Sequence, residues 1–213
     1  EKDFGKANAL LAKAEALDSK NPKIFILKGD AIFEQNNANG TDAIIQYKKA
    51  AELDKSSVEA ILRTGQLYGR ARNYPEALKY YQDASKIDSG FAPAYRERAE
   101  LYYRAGQYNN AISNYEKYLK LNSGSLSAKV RYASFLFLAK KYVESLNVIR
   151  EIHSQDSTIN FLNRLSGYCY YESAANPKDT LSYKNGLMMM EKFFSKTTPD
   201  KILASDYEYY GKI

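Results

Sequence analysis

Residues 92–125 read APAYRERAELYYRAGQYNNAISNYEKYLKLNSGS, and they decide the fold. Apolar and small residues recur at helical spacing in the first half (Tyr95, Ala99, Tyr102) and again in the second (Ala111, Tyr115, Leu119). Between the halves, Gly106-Gln107 signals a helix end, since glycine reaches the left-handed conformation without a Cβ clash. Asn122-Ser123-Gly124 then breaks the chain again. The stretch is a pair of amphipathic helices joined by a tight turn. Such a pair cannot bury its apolar face alone and needs neighbours.

The neighbours are present. Thirty-four residues upstream, Gly65, Tyr68, Tyr74, Ala77, Tyr81 and Ile87 answer Ala99, Tyr102, Tyr108, Ala111, Tyr115 and Leu121. Thirty-four residues downstream, Ala133, Tyr142 and Ser145 answer Ala99, Tyr108 and Ala111. A fixed period of this size with helix–turn–helix content specifies a stacked helical array. These landmarks make the chain resemble the tetratricopeptide-repeat (TPR) family over nearly its whole length. The resemblance implies an all-α fold, a TPR-type α-α superhelix, that is, a solenoid of antiparallel helix pairs. Individual copies are imperfect, with Ile61 and Lys129 where the family has an aromatic or large residue opening its first helix.

The period predicts one continuous array over residues 1–213. An orphan second helix at 1–21 precedes repeats at 22–57, 58–91, 92–125 and 126–159. A repeat with an expanded turn follows at 160–198, and a further one begins at 199–213. Ala7, Leu11, Ala14 and Leu17 match Ala43, Tyr47, Ala50 and Leu53 at a spacing of 36, so the first segment reads as a half-repeat. Terminal repeats need capping, so the chain reads either as a piece of something longer or as an array whose first helix has been left out. Gly29 to Gly65 is 36 residues but Ala43 to Ala77 is 34, which places two extra residues in the turn Asn36–Gly40, with Thr41 or Asp42 as the following N-cap. Pro22 and Pro75 fall at helix starts, where a missing N–H costs nothing. The expanded turn is Ser173–Ser182, which contains the turn-forming pair Asn176-Pro177 and reads either as a binding loop or as disorder. A helix from about Tyr183 to Lys196 and another beginning near Pro199 follow it; Gly211 lies 44 residues after Gly167, its expected counterpart.

Composition narrows the function. With 45% hydrophobic and 26% charged residues, the chain is ordinary for a folded soluble protein. No apolar run approaches the ~18–20 residues that span a bilayer, and no signal-peptide pattern is present, so membrane insertion is not expected. There are 20 tyrosines and no tryptophan; the resemblance places most of the tyrosines in the seams between helices. Catalysis needs convergent reactive groups. The single histidine, His153, has no second histidine to make a metal pair, and Cys169 falls inside a helix beside a small packing residue, as a structural thiol would. Gly65-Gln-Leu-Tyr-Gly69 is a helical packing pattern and not a phosphate loop. The expectation is a protein that is not an enzyme and uses no cofactor or metal.

TPR arrays curve so that the first helix of each pair lines a concave surface. An aromatic recurs at one equivalent place on those helices, at Phe33, Tyr103, Phe137 and Tyr171, interrupted by Gly69. Arginines occupy the same helices, at Arg63, Arg70, Arg96, Arg104, Arg131 and Arg164, while lysines such as Lys48, Lys49, Lys79, Lys117 and Lys120 fall on the second helices. Guanidinium groups grip carboxylates bidentately, and aromatics add flat contact area at small entropy cost. The expected function is a non-enzymatic scaffold that binds a protein or an extended, acidic peptide in this Arg/Tyr-lined groove. The net charge of +6 leans the same way. In the competing reading, Asp30, Glu59, Glu97 and Glu100 neutralise the arginines within the array.

Three further readings follow from the same residues. TPR domains that clamp chaperone C-terminal carboxylates use a lysine and an asparagine one helical turn apart. Here the corresponding pairs are Ile26/Asp30, Leu62/Gln66, Arg96/Glu100 and Val130/Ser134, so that clamp is not expected. Binding of RNA or single strands through stacked arginines and aromatics is an alternative that the interspersed acids disfavour. A spacer role, or self-association through the terminal half-repeats, is the other. The run Met188–Met190 points around a helix, which favours ordinary packing over a single contact surface.

Overall fold

The computed structural model describes residues 3–176 and 178–213. Among them the chain is all helical, with twelve α-helices and no strand. They are α1 (Phe4–Leu17), α2 (Pro22–Gln35), α3 (Gly40–Leu53), α4 (Val58–Arg70), α5 (Tyr74–Ile87) and α6 (Ala92–Arg104), then α7 (Tyr108–Leu121), α8 (Leu126–Leu138), α9 (Tyr142–Gln155), α10 (Phe161–Ser173), α11 (Thr180–Phe194) and α12 (Ala204–Lys212). The residues group into two compact units, one ending at Ala105 and the other starting at Gly106. Within each unit consecutive helices pack on one another, as a stack of helix pairs requires.

The pairs close on small residues. An added Cβ on Gly29 of α2 would lie 2.4 Å from the Tyr47 ring of α3, and one on Gly65 of α4 would lie 2.7 Å from the Tyr81 ring of α5. In the second unit a Cβ on Gly167 of α10 would lie 2.6 Å from Met190 of α11. Ala43, Ala77, Ala111 and Ser145, the small residues of the second helices, have no exposed surface. Ser145 Oγ donates a hydrogen bond to the Ala133 carbonyl at 2.9 Å, so its hydroxyl is satisfied where alanine stands in the other copies. The first core is built from Phe25, Ile26, Tyr47 and Leu67, continued by Leu62, Tyr81 and Leu101. The second is built from Leu146, Ile149, Ile152, Leu162, Leu165 and Cys169, with Met190 and Phe193 beyond.

The turns repeat as well. Arg72 and Lys140 both have φ of 61°, and Gly106 has φ of 71°, at positions 34 residues apart. After α4, Ala71 N–H donates to the Leu67 carbonyl and Asn73 N–H to that of Tyr68, both at 2.9 Å. This left-handed exit satisfies carbonyls that the helix end leaves open. Glycine supplies it without strain only at Gly106; Arg72 and Lys140 are held there by the same turn.

The enlarged turn after α2 is a 3₁₀ segment, Asn37–Asn39. The residue capping α3 is Asn39, without a side-chain cap bond, and not Thr41 or Asp42, because the 3₁₀ turn runs directly into a helix that already starts at Gly40. The turn after α10 is shorter than the sequence suggests. Asp179 caps α11 by accepting from Ser182 N–H at 3.1 Å, and its other oxygen accepts from Ala175 N–H at 3.3 Å, so the helix begins at Thr180. Pro177 of the expected turn pair lies outside the described residues. Pro199 opens a 3₁₀ turn and not a helix; α12 starts five residues later. Gly211 does not play the packing part of Gly167, for nothing lies within 4 Å of where its Cβ would be. The three methionines divide around α11, with Met190 fully buried and Met188 51% exposed.

Candidate partner-binding surface

In the first unit two adjoining cavities lie on one side, each of about 310 Å³. Asp30, Phe33, Tyr47, Arg63, Gln66 and Arg70 are among the residues lining one; Gln66, Gly69, Arg70, Tyr81, Glu97, Glu100 and Arg104 are among those lining the other, with Arg96. Gln66 and Arg70 belong to both, so the cavities are continuous along α2, α4 and α6. Five of the sequence-predicted residues therefore come together here: Phe33, Arg63, Arg70, Arg96 and Arg104. Tyr103 lines neither cavity.

The arginines are not equivalent. Arg63 reaches Asp30 (Nε to Oδ1, 3.5 Å) and Glu59 (Nη2 to Oε1, 3.7 Å). Arg96 Nη2 meets Glu97 Oε1 at 2.8 Å, and the same oxygen accepts from Gln66 Nε2 at 3.1 Å. Arg70 lies 4.7 Å from the centroid of the Phe33 ring. Neither Arg70 nor Arg104 forms an ion pair among the described residues. Neutralisation within the array thus holds for some arginines of this surface and not for others.

The two buried tyrosines beneath the cavities also differ. Tyr47, 2% exposed, donates to Asp30 Oδ1 at 2.7 Å. Burial, then the hydrogen bond to Asp30 and its charge, push this hydroxyl above the ordinary tyrosine range. Tyr81, 3% exposed, has no such partner, because the residue 36 positions after Asp30 is Gln66, whose amide goes to Glu97. Burial raises its pKa first and the charge of Glu97 second, against the opposing pull of Arg104, Arg70 and Arg96. Sequence reading took Tyr81 only as a packing landmark. The exchange of Asp30 for Gln66 was the available signal that its hydroxyl has a different environment.

The second unit uses its predicted residues differently. Arg131 stacks over Phe135 of its own helix at 5.0 Å. Phe137 packs against Tyr142 and Tyr168, with ring centroids 5.6 and 6.0 Å away. Tyr171 meets Tyr183 and Tyr209 edge to face at 6.1 and 5.5 Å. Arg164 is engaged with Asp206, Nε to Oδ1 and Nη2 to Oδ2 each at 2.8 Å, while its Nη2 also donates to the Lys201 carbonyl at 2.9 Å. Asp206 is fully buried and accepts from the Tyr168 hydroxyl at 2.6 Å as well. These contacts join α10 to α12, and they occupy the side chains that the period had assigned to a partner.

Reactive groups are quiet. Cys169 has no exposed surface, and burial pushes its thiol up to about 12. Burial and the neighbouring Lys192 hold His153 below the ordinary histidine range. No group of three His, Cys, Asp or Glu residues able to hold a metal occurs among the described residues. No helix there is long and apolar enough to cross a membrane.

Residues 92–125 match the family model of the tetratricopeptide repeat. No curated protein sequence aligns with the chain closely enough to count as a relative. Among solved structures, that of YrrB, described as a TPR protein with an unusual peptide-binding site, is 19% identical and superposes with a TM-score of 0.75 over 93% of this chain and 97% of that one. The Pseudomonas aeruginosa pilF structure is 16% identical, with a TM-score of 0.68 over 98% of this chain and 89% of the other. The first TPR of Spaghetti (RPAP3), solved with the HSP90 peptide SRMEEVD, is 20% identical and covers 55% of this chain and 92% of its own at a TM-score of 0.50. At these identities the likeness is one of fold.

Proposed function

We propose, from the tetratricopeptide repeat at 92–125 and a fold shared with tetratricopeptide-repeat structures, that the chain is a tetratricopeptide-repeat protein acting as a non-enzymatic scaffold that binds an extended peptide segment of a protein partner along the Arg-lined surface of its first unit. The observation that carries this reading is the pair of continuous cavities that gather four arginines with Phe33 on three successive first helices. YrrB and the Spaghetti domain are described with peptide sites, which supports a peptide as the class of ligand. The mechanism is pre-organisation. Helices locked by the Gly–Tyr seams hold the side chains in place, so less order has to be gained on binding. The partner is not a chaperone tail gripped by the usual lysine–asparagine clamp, since Asp30 occupies one of the clamp positions and holds its carboxylate on Tyr47.

The test is affinity capture from the source organism's lysate with wild type beside an Arg96→Glu/Arg104→Glu variant. Circular dichroism should show equal helicity, and a protein retained by wild type alone is expected. Identical captures by the two forms would overturn the groove as the working surface.

A further inference from the structure

The row of aromatics on the first helices is broken once in the first unit, at Gly69, and the break lies directly over Tyr81. A Cβ on Gly69 would sit 3.4 Å from the Tyr81 hydroxyl oxygen and 3.8 Å from Ala77 Cβ, both ordinary contacts. Glycine is therefore not forced there by crowding. Its effect is to leave the space above the hydroxyl open, where Phe33 or Tyr103 stands in the other copies of the repeat. Tyr81 is 97% buried by its 3% exposure, lines the cavity, and makes no hydrogen bond among the described residues. A phenol in such a place usually has a partner. Around the same space stand Arg70 and Arg104, the two lining cations without an ion pair, and the contact of Arg70 with the Phe33 ring uses none of its N–H donors.

We propose that the cavity bounded by Gly69, Arg70, Tyr81 and Arg104 is a receptor for a single carboxylate, the side chain of an aspartate or glutamate on the bound peptide. The inference rests on the peptide-groove reading and specifies what that groove selects. Charge decides the class of anion. Arg70, Arg96 and Arg104 line this cavity together with Glu97 and Glu100, a net of one positive charge, which one carboxylate neutralises and a phosphate dianion would exceed. Two guanidinium groups and a phenol are all donors, and a carboxylate with two oxygens accepts from all three. The Gly69 gap admits the side chain to the Tyr81 hydroxyl, and the cavity volume of about 310 Å³ accommodates it.

The probe is a phage library of random heptapeptides selected on the full chain, followed by fluorescence-polarisation titration of the synthesised winners. Selected peptides are expected to share one acidic position, and its change to glutamine should weaken binding to wild type tenfold or more, as expected for a charged hydrogen bond. The same change should cost less than twofold in a Tyr81→Phe/Arg104→Gln variant, since the group it addressed is gone. Gly69→Leu, which fills the gap from a Cβ that itself makes only ordinary contacts, should keep wild-type helicity by circular dichroism, lower affinity for the acidic peptide and abolish its preference over the glutamine form. Winners that respond to Arg63→Glu yet tolerate the glutamine change in wild type would overturn this inference and leave the groove reading intact. A library that enriches nothing would overturn both. Chemically phosphorylated winners that bind wild type more tightly than the carboxylate form would overturn the choice of anion.

Discussion

Gly29 and Gly211 are both helical glycines, yet alanine should act on them in opposite senses. At Gly29 the new methyl would enter the Tyr47 ring, which is buried and tied to Asp30 through its hydroxyl and so cannot swing aside. Overpacking of this kind costs about 1–3 kcal/mol. The better helix propensity of alanine offsets about 1 kcal/mol of it. Gly29→Ala should therefore lower the urea midpoint. At Gly211 the methyl meets nothing within 4 Å, only the propensity gain remains, and the stability of α12 should rise by up to about 1 kcal/mol. Equal shifts in the two variants would mean that the Tyr47 ring yields. The residue scale also shows where sequence reading stops. That Gly29, Gly65 and Gly167 pack closely followed from their spacing, whereas Gly211 shares the residue type and not the contact, because α12 is met by no partner at that position.

At the scale of elements, the helix pairs were legible because each copy carries the same small and large residues at the same place. The enlarged turn Asn36–Gly40 was legible because two spacings, 36 and 34, disagreed. The attachment of α12 was not. Arg164 and Asp206 lie 42 positions apart, and no periodicity links them; tertiary packing alone brings the buried carboxylate to the guanidinium, to the Tyr168 hydroxyl and, at 2.7 Å, to the Leu203 N–H that opens the helix. The same contact accounts for Arg164 having left the predicted binding row. Asp206→Ala would remove the countercharge of a mostly buried arginine, leaving it the Lys201 carbonyl and leaving the Tyr168 hydroxyl Ser205, a loss of up to about 3 kcal/mol. Hydrogen exchange should then accelerate across Ala204–Lys212 while α8 and α9 keep their protection. Asp206→Asn, which keeps the shape and one acceptor, should show a smaller effect in the same measurement. Unchanged exchange in the alanine variant would assign α12 to its aromatic contacts, among them the Tyr168–Tyr209 stack at 3.9 Å.

Over the whole molecule, a single cysteine sits in the second unit with no exposed surface, which makes it a reporter of that unit's opening. With the thiol pushed up to about 12, only about one molecule in ten thousand carries a thiolate at pH 8, and that one is still buried. A thiol reagent at pH 8 should leave the native protein unlabelled, and labelling should rise with urea in step with amide exchange in α10. Fast labelling in the absence of denaturant would show the second core to be open. The Gly–Tyr seams carry a different implication, one of descent. When a repeat is duplicated, the small residue and the ring it receives are copied together, and the new pair fits from the start. The copies nonetheless differ on one side of the seam at a time, since Ala99 and Tyr115 stand at the sequence positions of Gly65 and Tyr81. The copy in which Met190 faces Gly167 keeps the glycine and has a flexible thioether where Gly29 and Gly65 face the rings of Tyr47 and Tyr81.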